Sequence, residues 1–217
     1  FLGPVSFDFV LGSQTIVFQN AGVITVPSSV AGQASPYPAT INVSGVFGTG
    51  RIAISDVALE QASLDEVKAV TGHEVGHYVL GHVWRIVFLF AGLAMAGFFL
   101  ADRLFDRVAA LFGSHAKVGD AEGLPILLLI VSVLGIVAQP ALNSVTRIGE
   151  SEADAYSLRT VNLPDALATA LVKTAEYRYP RPSAFEEIVF YSHPSVERRV
   201  RRAMEWKAAQ TKKAETR

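Results

Sequence analysis

His73-Glu74-Val75-Gly76-His77 sets two imidazoles four residues apart, with a carboxylate directly after the first. On a helix, residues four apart share a face, so both rings can reach one ion. Glu74 lies beside that face, where it can take a proton from a water held by the ion. Neutral imidazole suits zinc, and a catalytic zinc takes three protein ligands plus water. The metal makes that water acidic enough to give a nucleophile near neutral pH. The chain contains no cysteine, which excludes disulfides, thiolate metal sites and cysteine nucleophiles together. Any metal is therefore held by nitrogen and oxygen.

A third ligand has to come from elsewhere in the chain. His82 lies five residues past His77, which on a continuous helix turns it well away from the ligand face. The extended motif with a third histidine also needs a Gly-linked spacing that is absent here, so His82 is expected to support the ligands from behind or to be structural. Asn143, Arg147, Glu150 and Asp154 are spaced by four, three and four residues and form one polar stripe on a helix. Glu150 can ligate the metal. Asp154, one turn further on, can accept a hydrogen bond from a ligating imidazole and so fix its tautomer. Glu152 points away from the stripe.

The elements that must carry these residues are legible from pattern. Ser63-Leu64-Asp65-Glu66 matches a capping box and starts a helix. No proline follows before Ala101, so that helix is expected to run straight into the apolar run Ile86–Ala101. Residues 1–50 carry a single charge, Asp8. There Thr15–Phe18, Val23–Val26, Ile41–Val46 and Arg51–Ser55 read as short strands, with a loop over Ser29–Pro38. The domain reading is a strand-rich region over 1–62, a catalytic region over 63–197 and a basic helix or tail over 198–217.

Composition points to a membrane. Of 217 residues, half are hydrophobic and 18% are charged, and mean hydropathy is +0.33. Net charge is −1, and nothing points to nucleic acid. A second apolar run covers Gly123–Ala138, so membrane helices are expected over about 84–101 and 123–142. Basic residues lie on the histidine-bearing side at Arg85 and Arg147 and through the tail. The 102–122 connection, by contrast, has three basic residues against four acidic ones. The positive-inside tendency then puts the histidines on the cytoplasmic side of an inner (cytoplasmic) membrane. The chain opens at Phe1 without Met, in strand-like sequence. It reads as a piece whose N-terminal part lies outside it, with a processed N-terminus as the alternative.

The combination of the His-Glu-x-x-His helix, Gly81-His82, two apolar runs and the segment Asn143-Ser-Val-Thr-Arg147-Ile-Gly-Glu150-Ser-Glu-Ala-Asp154 resembles the type 1 CAAX prenyl proteases. These are integral-membrane zinc metalloendopeptidases, with bacterial quality-control relatives. Asn42-Val-Ser-Gly45, Arg51–Asp56 and Ser192-His193-Pro194 with Arg198 extend the resemblance, which covers about residues 40–207. The resemblance implies that His73, His77 and Glu150 ligate zinc and that Glu74 is the general base. It further implies that Asn143 and His193 position substrate or stabilise the oxyanion, and that strand 40–46 pairs with the substrate backbone. A histidine N–H suits a developing oxyanion; Tyr156 and Tyr191 are alternative donors.

The expectation is a mainly α chain with a small N-terminal β region, built as a membrane zinc peptidase of the gluzincin type with its catalytic helix running into a transmembrane hairpin. One zinc ion per chain is the cofactor, and the partners are the lipid bilayer and a peptide or protein substrate. Two other readings compete: a soluble zinc peptidase whose apolar runs form a buried hairpin, and a non-catalytic membrane scaffold that keeps the site.

Overall fold

The computed structural model describes residues 7–11, 14–18, 41–44, 51–54, 61–177 and 181–216, the first four stretches as backbone. The expected strand Val23–Val26 and loop Ser29–Pro38 lie outside them. The described chain is mostly helical. Strands β1 (Phe7–Leu11) and β2 (Gln14–Phe18) form one antiparallel pair, and β3 (Ile41–Ser44) and β4 (Arg51–Ile54) form another. Six helices follow: α1 (Leu64–Val79), α2 (His82–Leu111), α3 (Leu124–Thr160), α4 (Pro164–Lys173), α5 (Ala184–Phe190) and α6 (Val196–Glu215).

The helices form where the sequence supplies starts and stops. Ser63 caps α1 as its pattern predicts: Glu66 N–H donates to Ser63 Oγ at 3.3 Å, and Ser63 N–H donates to Glu66 Oε2 at 2.7 Å. The same box recurs at Ser183 and Glu186 ahead of α5. The expected run from α1 straight into the apolar segment is not what the structure shows. α1 ends at Val79, and Gly81 sits in the left-handed region at φ 67° before α2 begins. Glycine takes that conformation at no steric cost, so it ends one helix and redirects the chain into the next.

The helices fall into two compact units. The first contains the strand pairs, α1, the end of α3 from Gly149, α4 and α6. Its core gathers Ala69, Leu158, Leu167, Ala168, Leu171 and Ala203, with Val200, Met204 and Trp206 packed around them. Lys173 reaches back from α4 to the buried Glu66 carboxylate at 2.8 Å. α1 and the end of α3 approach closely because small residues face one another. A Cβ on Gly76 would lie 3.1 Å from the Ala153 backbone, and one on Gly72 would lie 2.5 Å from a Val161 methyl. Ser157 donates its hydroxyl to Ala69 O at 2.6 Å across the same contact. β3 runs alongside α1.

The second unit contains α2, α3 as far as Ile148, and α5 with the segment to His193. α2 and α3 pack through Ala101, Phe105, Ala109, Ile126 and Ile130, near the loop that joins them. Both helices are long and apolar enough to cross a membrane. At 1.5 Å per residue, 30 residues of α2 and 37 of α3 extend about 45 and 55 Å, beyond a hydrocarbon core of about 30 Å. Their apolar faces stay uncovered: Phe98 is 79% exposed, and Ile136 and Val137 are 72% exposed.

Candidate metal centre

α1 presents His73 and His77 on one face, and α3 continues past its apolar part to present Glu150 opposite them. His73 Nε2 and His77 Nε2 lie 3.1 Å apart. Glu150 Oε2 is 3.4 Å from the first and Oε1 is 3.3 Å from the second. One ligand atom from each residue lies within 4.8 Å of the others, the sole such group of three among the described residues. His82 does not join it; it is buried at the first position of α2, in the other unit.

Behind the three donors stands an ionic network. His73 Nδ1–H donates to Asp154 Oδ1 at 2.9 Å, which turns Nε2 toward His77 and Glu150. Asp154 also receives a two-pronged contact from Arg199 of α6, Nε to Oδ2 at 2.7 Å and Nη2 to Oδ1 at 2.6 Å. Arg199 Nη1 lies 3.4 Å from Glu150 Oε2. His73, Glu150, Asp154 and Arg199 are all buried. The planar guanidinium matches the carboxylate geometry and neutralises charge in a place with little water.

Arg199 is not distinguished by the sequence, where Arg198 belongs to the C-terminal motif and 198–217 is a basic helix or tail. In the structure Arg198 is exposed, while Arg199 and Ala203, one turn apart, face the core. A basic residue four positions before a small apolar one, within an otherwise charged helix, was the available signal.

The electrostatics follow from this placement. Burial pulls the His73 proton affinity down, but hydrogen bonds to Asp154 and Glu150 outweigh it and raise the pKa to about 9. Burial lifts the half-buried Glu74 carboxyl above its usual range, against the pull of His73 and His77. A metal held by His73 would have to displace its proton, and below pH 9 that competition would cost about tenfold in affinity per pH unit. Zinc affinity is thus expected to tighten from pH 6 to pH 8 with proton release on binding, which calorimetry in two buffers of different ionisation enthalpy measures. An affinity flat over that range would contradict the expectation.

The remaining expected site residues belong to the second unit. Asn143 is buried and donates Nδ2–H to Val189 O at 2.7 Å. Arg147 directs its guanidinium to carbonyls of α5 and its C-terminal end. His193 is half-buried, with Nδ1 at 3.0 Å from Ser192 Oγ.

A His-Glu-x-x-His helix facing a glutamate from a second helix is a candidate metal site of the kind a metallopeptidase carries. The profile of peptidase family M48 matches residues 29–207, and the chain belongs to that family. The family-level resemblance drawn from the motifs is thereby borne out. An uncharacterized metalloprotease, YhfN of Bacillus subtilis (strain 168), is 31% identical over 166 residues, 74% of this chain and 39% of that protein. Protease HtpX of Erwinia tasmaniensis is 27% identical over 203 residues, 82% of this chain and 69% of that protein. Ste24p of S. mikatae has the same fold at TM-score 0.59 and 23% identity, over 75% of this chain and 41% of that one. The chain thus spans less than half the length of YhfN and of Ste24p.

Proposed function

We propose that this chain carries the active centre of a membrane zinc metalloendopeptidase, with His73, His77 and Glu150 as the metal ligands and Glu74 as the general base. The observation that carries the reading is the convergence of the three donor atoms. Two ligands each about 2.05 Å from a tetrahedral zinc stand about 3.3 Å apart. His73 Nε2 and His77 Nε2 stand 3.1 Å apart here, and one carboxylate oxygen of Glu150 approaches each, Oε2 at 3.4 Å from the first and Oε1 at 3.3 Å from the second. Two imidazole nitrogens facing each other so closely, with Nδ1 of one engaged by Asp154, are a donor set for a cation. The donors are nitrogen and oxygen, which suits zinc.

Bound there, zinc would acidify a water and polarise the scissile carbonyl. The protein groups do the rest. Glu74 takes the proton of the attacking water and hands it to the leaving amine. Asp154 holds His73 in the Nδ1–H tautomer, and Arg199 keeps Asp154 ionised and aimed at the ring. His193, whose Nδ1 lies 3.0 Å from the Ser192 hydroxyl, would donate a ring N–H to the developing oxyanion. β3, which pairs with β4 on one side among the described residues, would align the substrate by strand addition on its other edge. The two long apolar helices α2 and α3 support a membrane setting, and the basic flanks support a centre on the cytoplasmic side. The substrate is a peptide or protein, with no feature that demands a prenyl group.

Cleavage of an internally quenched peptide by the detergent-purified chain tests the reading. A chelator is expected to stop hydrolysis and stoichiometric zinc to restore it. Hydrolysis indifferent to the chelator would overturn it.

A further inference from the structure

α5 is a helix of seven residues, and its last carbonyls have no helical N–H to bind. α3 supplies the missing donors. Asn143 Nδ2 donates to Val189 O at 2.7 Å, and Arg147 Nη1 donates to Glu187 O and to Tyr191 O, each at 2.6 Å. Ile188 O lies 3.3 Å from the same nitrogen. Nη2 is tied to Ser144 Oγ at 2.7 Å, one turn back on α3, which fixes the plane of the guanidinium. A cation at a helix C-terminus is also favoured by the helix dipole. Tyr191 is the residue at which α5 gives way to the turn Ser192-His193-Pro194.

We propose that Asn143 and Arg147 are positioning residues that clamp the C-terminal end of α5 and so fix the backbone from which His193 acts. The inference rests on the role of His193 in the proposed reaction. On this account the Asn143 amide acts through Val189 O and the turn, not by touching substrate. Lysine cannot replace Arg147, because a single ammonium cannot span Glu187 O and Tyr191 O while a second nitrogen holds Ser144. Displacement of a catalytic group by about 1 Å costs up to about 10²-fold in rate, which sets the scale of the expected effect.

The test uses the full chain in detergent, with Arg147→Met, Arg147→Lys and Asn143→Leu made singly and each combined with His193→Ala. Three readouts are taken: kcat and KM on a quenched peptide, zinc content, and hydrogen exchange of the backbone from 187 to 194. Arg147→Met is expected to lower kcat about 10- to 100-fold with KM nearly unchanged and zinc retained. Exchange should rise over 187–194 and not in α1. In the His193→Ala background the same substitution should cost less than about twofold, because the group it positions is already gone. Arg147→Lys should fall with Arg147→Met, and Asn143→Leu, which removes one contact only, keeps the test alive should Arg147→Met not fold. An equal further loss on top of His193→Ala, or unchanged exchange over 187–194, would overturn the clamp alone. Full activity in His193→Ala would instead overturn the role of His193, and the proposal with it.

Discussion

Glu74→Gln is expected to abolish hydrolysis, by about 10²–10⁴-fold or more, while leaving the metal in place. The substitution keeps the size of the side chain and removes its ability to accept a proton. Glu74 is not among the three converging donors, so the metal has no direct stake in it. Burial raises its carboxyl above the ordinary glutamate range, which brings its basicity closer to working pH than an exposed carboxylate would be. The sign for pH follows: the base form is the active one, so activity falls as pH drops through the raised pKa. Zinc content and quenched-peptide hydrolysis, measured on the same preparation, check the prediction. Full hydrolysis in the mutant would remove Glu74 from the mechanism.

Asp154→Ala is the second large effect, and it acts on stability and metal affinity together. Asp154 is 3% exposed and holds His73 on one side and Arg199 on the other. Its removal frees the His73 ring to turn and change tautomer, an effect worth about 10–100-fold in metal affinity. It also strips the buried Arg199 cation of its two-pronged carboxylate partner, at a cost of about 3–5 kcal/mol. Replacing both, as Asp154→Ala with Arg199→Met, should recover much of the stability and none of the metal affinity. Thermal unfolding and competitive zinc titration separate the two. Additive losses in the double variant would show that the two residues act independently.

Much of the centre is legible in the sequence because helical period alone generates it. His73 and His77 four apart, and Glu150 and Asp154 four apart, need no tertiary information to share a face. The capping box at Ser63 is equally local. The break at Gly81 escaped the pattern because hydrophobicity continues past it; its signal was the glycine itself, which the absence of proline overshadowed. Arg199 was hidden for a different reason. Arg198, Arg199, Arg201 and Arg202 are chemically alike in the sequence, and the buried one is chosen by Ala203 on the same face and by a carboxylate 45 residues away. The close approach of Gly72 and Gly76 to Ala153, Ser157 and Val161 was likewise out of reach. Small residues mark a close contact only once it is known which helices meet.

The most direct test of the central claim is the metal content of detergent-purified protein, wild type beside Glu150→Ala. Glu150 is the donor that joins α3 to the two histidines of α1, so the three-ligand centre stands or falls with it. The account predicts about one zinc per chain in the wild type and loss or sharp weakening in the variant. Equal zinc in both proteins would contradict it and remove Glu150 from the ligand set.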